Sequence, residues 1–205
     1  MKTIIKYQGG KSKELPTIKQ LLPSQFNRVV EPFCGGAAVS FGLGYSSLMS
    51  DINRDVINLY SVVANNELYP QLQLKVEYMK GLDHDDLQQE YYAAREVINQ
   101  SWGHTDQLQR ALAYIIVRQL CFSGMERYNA KGEFNVPFGH YKKFSCNLSK
   151  DHHNFLKKKC VFRYGSFVDL FEEIYDNDFI FIDPPYLERL GYTEGDGGLK
   201  LHEDL

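Results

Sequence analysis

Short apolar runs alternate with longer stretches of helical spacing along the chain. Four runs have the length of strands, at residues 28–33, 46–50, 161–164 and 179–182. The last of them is wholly apolar, which predicts a buried strand. Because helical segments separate these strands, the pattern predicts an α/β fold with a mostly parallel sheet.

The helical segments differ in length and in how clearly they end. Residues 53–65 have one apolar side, and residues 67–120 are helical in pattern with a break at Trp102, Gly103 and His104. Further helices are predicted at residues 12–22, capped by Ser12, and at 148–159 and 168–175.

A different texture, rich in aromatic, glycine and basic residues, runs from residue 122 to 143. Residues 129–132 are turn-like, and the alternation that follows predicts a hairpin. The sheet is therefore expected to be interrupted by a central insertion of helices and loop.

Composition is ordinary for a globular protein, with 43% hydrophobic and 24% charged residues. The N-terminus lacks the apolar run of a signal peptide, and no stretch approaches the roughly 18 apolar residues that span a bilayer. We therefore expect a cytoplasmic protein without a membrane partner.

Neither a disulfide framework nor a metal centre is expected. The four cysteines stand far apart in the sequence and form no CxxC pair. His152 and His153 are adjacent, so on a helix they point about 100° apart and make a poor chelating pair. We expect both histidines to be exposed.

Charge is distributed unevenly. The whole chain carries a formal charge of -3, yet residues 127–163 contain nine Lys or Arg against Glu133 and Asp151. A basic segment on an acidic body suits local contacts with a polyanion such as DNA. The alternative is a solvated lysine-rich face, which we favour for residues 157–159 taken alone.

A glycine turn and a carboxylate follow the first two predicted strands. Gly35 and Gly36 lie between a strand and a helix, where backbone can approach a ligand closely, although many such turns need glycine for geometry alone. Asp51 comes 20 residues after Glu31, at the end of the next strand. There a carboxylate can accept both hydroxyls of a nucleoside ribose.

The same turn lacks a full phosphate-binding glycine fingerprint and nearby positive charge. The pattern thus favours a nucleoside without phosphates, and S-adenosylmethionine fits this description. The alternative role for Asp51 is to cap the helix that begins near Ile52, and one side chain could serve both purposes.

Asp183, Pro184, Pro185 and Tyr186 follow the last predicted strand directly. The carboxylate therefore stands at a strand's C-terminal end, where open α/β sheets build their sites. The prolines stiffen the backbone and leave carbonyls free to accept hydrogen bonds, and the tyrosine offers a face for stacking. A strand-terminating turn without chemistry is the alternative.

This tetrapeptide has the groups that an exocyclic amine needs in order to attack a sulfonium methyl. Hydrogen bonds from its N–H groups to Asp183 and to the Pro184 carbonyl would draw the nitrogen toward sp³ character. Stacking on Tyr186, worth about 1–3 kcal/mol, would hold a flipped base. Transfer is then governed by proximity and needs no metal or covalent intermediate.

These motifs, in this order, resemble the DNA adenine-N6 methyltransferases of the bacterial and phage Dam type. KYQGGK at residues 6–11 looks like the family's N-terminal motif, EPFCGG at 31–36 its cofactor loop, SDIN at 50–53 its ribose-binding acid, and GSF at 165–167 the lining of its adenine pocket. The resemblance implies a Rossmann-like methyltransferase sheet with a helical target-recognition insertion. The residues it implies for S-adenosylmethionine binding are Tyr7, Lys11, Phe33, Gly35, Asp51, Phe167 and Asp183.

The resemblance extends to residues 127–143, which are similar to the family's target-recognition hairpin and suggest a GATC site in double-stranded DNA. Lys131 stands where a guanine-reading side chain is expected, and Lys142 and Lys143 near phosphates. Support of a loop is the alternative role for these basic residues. The DNA-binding residues expected here are Arg127, Asn129, Lys131, Pro137, His140 and Lys142.

The resemblance also divides the chain, into a cofactor-binding part at 1–57, the recognition insertion at 58–145 and the rest of the catalytic domain at 146–205. The family continues with further strands beyond the catalytic motif, so we expect a sheet incomplete at its C-terminal side, with an exposed apolar edge, or a missing segment supplied in trans. Two other functions stay open: a catalytically silent DNA-binding remnant, and an amino methyltransferase acting on cytosine N4 or on RNA.

Overall fold

A four-stranded parallel sheet organises the molecule. In the computed structural model, which describes residues 1–185, the strands are β1 (Val29–Glu31), β2 (Ser47–Asp51), β3 (Cys160–Tyr164) and β4 (Phe179–Ile180). They lie in the order β3-β2-β1-β4, and every pairing is parallel. The predicted α/β class is confirmed, and the sheet is open.

Seven α-helices lie in the described part of the chain. They are α1 (Leu15–Gln20), α2 (Ala38–Leu43), α3 (Arg54–Ala64), α4 (Leu68–Lys80), α5 (His84–Asn99), α6 (Gln107–Leu120) and α7 (Lys150–Lys159). Two 3₁₀ segments, Phe122–Gly124 and Phe167–Glu173, complete the regular structure.

The central strand β1 is buried on both faces of the sheet. Val29 packs with Ile18 and Val39 on one side, whereas Val30 packs with Leu48 on the other. Successive side chains of a strand point to opposite faces, so two adjacent valines serve two layers. The middle of the sheet is therefore fully buried, and it fixes the C-terminal ends of β1 and β2 side by side.

Helix α3 starts shortly after β2 and connects the sheet to the helices of the insertion. Its N-cap is Asn53, whose side chain accepts a hydrogen bond from the Asp55 N–H at 3.0 Å. Asp55 in turn forms a buried ion pair with Arg110, with Nε to Oδ1 at 2.6 Å. Arg110 also donates to the carbonyls of Val97, Ile98 and Gln100. One guanidinium thus satisfies the end of α5 and joins α5, α6 and α3.

The hairpin of residues 126–138 lies against α5. The Asn99 amide donates to the Phe134 carbonyl at 3.1 Å and accepts from the Phe134 N–H at 2.8 Å, as a neighbouring strand would. Tyr91 donates its hydroxyl hydrogen to the Val136 carbonyl at 2.8 Å. The predicted turn at 129–132 is present, but only isolated antiparallel bridges form, among them Tyr128 with Phe134.

Several predicted elements are corrected. The first helix is only Leu15–Gln20, because Pro16 stands in its first turn and Glu14, not Ser12, is its N-cap. The stretch 67–120 is broken a second time at 81–83, where Asp83 caps α5. The helix predicted at 168–175 is the 3₁₀ segment Phe167–Glu173.

The histidine pair is not exposed as predicted. His152 is 3% exposed, and its Nε2 lies 2.8 Å from the Lys2 carbonyl while its Nδ1 lies 2.8 Å from the Ser149 hydroxyl. Burial lowers the pKa of His152. His153 is half-buried, with Nδ1 at 2.7 Å from the Val63 carbonyl. Both rings tie α7 to its neighbours.

Strand β4 is shorter and more exposed than predicted. It ends at Ile180, and Ile180 and Ile182 are 38% and 54% exposed, so this strand is not buried on both faces. Within residues 1–185 it pairs with β1 alone. No helix in those residues is long and apolar enough to cross a membrane.

Candidate functional site

A cavity of about 600 Å³ opens at the C-terminal ends of β1, β2 and β4. Glu31 ends β1, Asp51 ends β2, and Asp183 follows β4. Neighbouring parallel strands carry their C-terminal ends to one edge of a sheet, which brings these three carboxylates to one cavity. Its lining includes every residue predicted for cofactor binding, namely Tyr7, Lys11, Phe33, Gly35, Asp51, Phe167 and Asp183, together with Pro184 and Pro185. Tyr186 lies outside the described residues.

The glycine turn is shaped by contact with the N-terminal segment. Gly35 has φ +43°, and a Cβ there would lie 2.5 Å from the Cε1 atom of Tyr7. Its N–H donates to the Asp51 carboxylate at 2.8 Å, and its carbonyl accepts from the Tyr60 hydroxyl at 2.6 Å. Glycine is therefore required here for the close approach of the Tyr7 ring.

Asp51 is held by two backbone donors. Its Oδ2 accepts from the Gly35 N–H and its Oδ1 from the Asn53 N–H, both at 2.8 Å. Burial raises the pKa of Asp51 to about 6, although the two donors oppose the shift. The side chain supports the start of α3 and faces the cavity, so both roles considered for it are compatible with its position.

Glu31 is a buried carboxyl that the sequence motif did not single out as functional. Its Oε2 accepts from the Ser40 N–H at 2.9 Å and from the Ser40 hydroxyl. Burial raises the pKa of Glu31 to about 7, opposed by the Ser40 hydrogen bonds and reinforced by the charge of Asp183. In the sequence, only the place of Glu31 at the end of β1 could have indicated that its side chain belongs to the site.

An aromatic pair forms the apolar side of the cavity. The rings of Phe33 and Phe167 lie with centroids 5.3 Å apart, tilted by 37°. Phe167 begins a 3₁₀ segment whose capping box joins Ser166 and Asp169, with the Ser166 N–H donating to Asp169 at 3.0 Å. The cap fixes the direction of Phe167 toward Phe33.

The predicted catalytic acid is paired with a predicted cofactor residue. Lys11 Nζ lies 2.5 Å from Asp183 Oδ2, and Lys11 also donates to the Gly9 carbonyl at 2.7 Å. Both side chains are partly exposed, at 18% for Lys11 and 22% for Asp183. The N-terminal segment and the strand end are thus joined across the cavity mouth.

Two lining residues come from the insertion and were missed by the sequence reasoning. Glu126 and Tyr128 both border the cavity, and the Tyr128 hydroxyl donates to Glu126 Oε1 at 3.0 Å. Glu126 Oε2 also pairs with the buried guanidinium of Arg118 at 3.2 Å. Nothing in their spacing relative to the strands predicts this proximity, because it depends on how the insertion folds back.

The predicted DNA-binding residues lie apart from the cavity lining. Arg127 donates to the Asn135 side chain at 2.8 Å, and Asn129 accepts from the N–H groups of Lys131 and Glu133. These two side chains shape the turn. The exposed members of the set are Arg127, Lys131, Pro137, His140 and Lys142.

No group of three or more His, Cys, Asp or Glu side chains able to hold a metal ion occurs among residues 1–185. The four cysteines are all free thiols.

Comparison with known proteins gives a consistent result. Residues 7–194 match the profile of the family described as D12 class N6 adenine-specific DNA methyltransferase. The chain is 35% identical over 192 residues to the type II methyltransferase M.CviBI of Paramecium bursaria Chlorella virus NC1A, covering 91% of this chain and 69% of that protein. It is 36% identical to the DNA N-6-adenine-methyltransferase of Escherichia phage P1, covering 95% of this chain and 25% of that protein. It is 32% identical to the DNA adenine methylase of Escherichia coli K12, covering 90% of this chain and 65% of that protein.

Proposed function

Because the chain belongs to the D12 class of N6 adenine-specific DNA methyltransferases, we propose that its cavity binds S-adenosylmethionine and methylates adenine N6 in a short duplex site. The observation that carries this proposal is the cavity itself, where Asp51, Phe167 and Asp183 meet although they are far apart in sequence. The chain spans about two thirds of the Escherichia coli relative and a quarter of the phage relative.

The cavity suits a methyl donor of this kind. Its volume of about 600 Å³ falls within the roughly 300–1,000 Å³ of small-molecule sites. Asp51 would accept the ribose hydroxyls, and Phe33 and Phe167 would flank the adenine ring. When bound, S-adenosylmethionine supplies an activated methyl group on a sulfonium centre. The Lys11–Asp183 pair would mark the boundary between this donor and the target base.

Asp183 and the Pro184 carbonyl would hold the target amine. Each oxygen accepts a hydrogen bond from one N–H group of the amine. These two hydrogen bonds shift the nitrogen lone pair from the purine ring toward the direction of attack. Proline at 184 and 185 fixes the backbone, so the two acceptors keep their separation without reorganisation. Tyr186 would stack on the flipped base, whose extrusion costs a few kcal/mol.

The hairpin would supply target recognition. Its basic residues are exposed, and residues 127–163 carry nine Lys or Arg against two acids. Lys131 would read a base edge, and Lys142 and Lys143 would contact phosphates, giving strongly salt-dependent affinity. GATC is the first site to test, since the proposed recognition hairpin resembles that of enzymes acting there.

Labelled methyl transfer tests the proposal. The 205-residue chain is incubated with labelled S-adenosylmethionine and with four substrates: a duplex that contains GATC, a duplex with a scrambled site, a duplex with cytosine but no adenine, and RNA. Asp183→Ala should lower transfer to adenine by about 10²–10⁴-fold while salt-sensitive DNA binding persists. Asp176→Ala, an exposed acid before β4, is the matched control.

The outcomes separate the candidate functions. Label in cytosine or in RNA would show that cytosine or RNA, and not adenine in DNA, is the substrate. An absence of label combined with retained DNA binding would favour the silent remnant. Near-normal turnover by Asp183→Ala would remove the mechanism.

A further inference from the structure

Arg118, in the last turn of α6, holds the N-terminal segment and the end of the 3₁₀ segment Phe122–Gly124. Its side chain is 1% exposed. The Nε atom donates to the Lys6 carbonyl at 3.1 Å, whereas the two terminal nitrogens donate to the carbonyls of Met125 and Gly124 at 3.4 and 3.3 Å. One guanidinium therefore bridges the N-terminal segment and the loop that leads into the hairpin.

The same guanidinium contacts two residues that line the cavity. It pairs with Glu126 at 3.2 Å and lies 5.1 Å from the centre of the Tyr7 ring. Tyr7 is the ring that packs on the Gly35 turn, and Glu126 accepts the Tyr128 hydroxyl. Any displacement of Arg118 would therefore shift both the cavity lining and the start of the hairpin.

Neighbouring hydrogen bonds reinforce this junction. The Gln119 side chain donates to the Ile4 carbonyl at 2.8 Å, and Lys6 donates to the Gln119 carbonyl at 2.8 Å. The Glu126 N–H donates to the Gln8 side chain at 3.3 Å. The end of α6 is thus the common support for residues 4–8 and 124–126.

A planar guanidinium is needed for this arrangement. Its fork of five N–H groups can address several carbonyls and a carboxylate in fixed directions, which the single ammonium of lysine cannot do. A buried arginine whose partners lie in two separate segments has a structural role in each of them. It also makes the position of one segment depend on the position of the other.

We propose that Arg118 is a positioning residue that couples methyl-donor binding to recognition of the DNA target. The inference rests on the proposed function, since it assigns the donor to the cavity and the duplex to the hairpin. A donor that orders Tyr7 and Glu126 orders the hairpin entry through Arg118, and a bound duplex acts in the reverse direction. Thermodynamic linkage requires the two effects to be equal.

The test compares two buried arginines of one helix. The affinity for S-adenosylhomocysteine is measured by isothermal titration with and without a GATC-containing duplex, for the wild type, Arg118→Lys and Arg110→Lys. Arg110 is 4% exposed and also binds three carbonyls and a carboxylate, but it joins α3, α5 and α6 away from the cavity. The wild type should show coupling of about 5–150-fold. Arg118→Lys should reduce it to less than threefold, whereas Arg110→Lys should lose stability and keep the coupling.

Hydrogen exchange on the wild type gives a second measurement that needs no variant to fold. S-adenosylhomocysteine alone should slow exchange at the Asn129, Gly132 and Asn135 amides, which are hydrogen-bonded within the hairpin and lie outside the cavity lining. Unchanged exchange there, absent coupling in the wild type, or full coupling in Arg118→Lys would each overturn the inference. Failure of the wild type to bind S-adenosylhomocysteine at all would instead refute the proposed function.

Discussion

Replacement of Gly35 by alanine should destabilise the protein by about 2–5 kcal/mol. The residue has φ +43°, a region in which a side chain costs about 1–2 kcal/mol. The new Cβ would also lie 2.5, 2.8 and 3.0 Å from three atoms of the Tyr7 ring. Overpacking of this kind typically costs about 1–3 kcal/mol more. The backbone cannot move aside easily, since Asp51 and Tyr60 hold both peptide groups of Gly35.

Gly44→Ala is the matched control for this substitution. Gly44 has φ +74°, but a Cβ there meets nothing within 4 Å, so only the backbone term of about 1–2 kcal/mol applies. Urea unfolding gives both values. The Tyr7→Ala background completes a double-mutant cycle, in which the cost of Gly35→Ala should fall to that of Gly44→Ala. An equal cost with and without the Tyr7 ring would refute the reasoning.

Two carboxylates of the site predict pH dependence. Burial raises the pKa of Glu31 from 4.5 to about 7. The protonated carboxyl therefore contributes about 3 kcal/mol to the free energy of unfolding below pH 4.5, and this contribution is lost as the pH rises through 7. Glu31→Gln should flatten the dependence of stability on pH between 4.5 and 7. Urea unfolding across this range measures the effect, and identical slopes in both proteins would contradict it. Asp51→Asn should weaken S-adenosylhomocysteine binding about 10–100-fold at pH 7.5, since a hydrogen bond to a charged group is worth roughly 1.5–3 kcal/mol. The affinity of the wild type for S-adenosylhomocysteine should also fall as the pH drops through about 6, where Asp51 becomes protonated. Isothermal titration measures both effects, and an Asp51→Asn variant with wild-type affinity would argue against the ribose role.

The strand ends were the most predictable part of the molecule. Apolar runs and the residues directly after them placed Asp51 and Asp183 at one edge of a parallel sheet, because strand direction alone decides where those side chains go. Glu31 reaches the same edge because β1 ends there and not at residue 33 as predicted. The family resemblance added Tyr7 and Phe167, whose positions depend on segments with no regular structure. All five line the cavity. Their roles in binding and catalysis stay predictions, as does the division at residues 57 and 145.

What sequence reasoning missed depends on tertiary packing. Arg110 and Arg118 occur in an amphipathic helix, where basic residues ordinarily face solvent, yet both are buried. Their partners include Asp55 and Lys6, which lie 55 and 112 residues away along the chain. Burial of His152 arises in the same way, from a contact with Lys2. Element ends were also uncertain, since the first helix begins only at Leu15, with Pro16 in its first turn, and ends at Gln20. Local periodicity carries no information on any of these long-range partners.

The neighbouring strands β2 and β3 have a consequence for the order of folding. About 110 residues separate them, against about 15 between β1 and β2. Loop-closure entropy grows as the logarithm of loop length, so an unstructured connection would make the longer pairing about 2 kcal/mol less favourable. The intervening helices pack on one another, with α6 against α3 and α5, so a folded insertion brings the two strands together without an open loop. We therefore expect the β2–β3 ladder to form after the helices of the insertion have packed, as the last pairing on that side of the sheet.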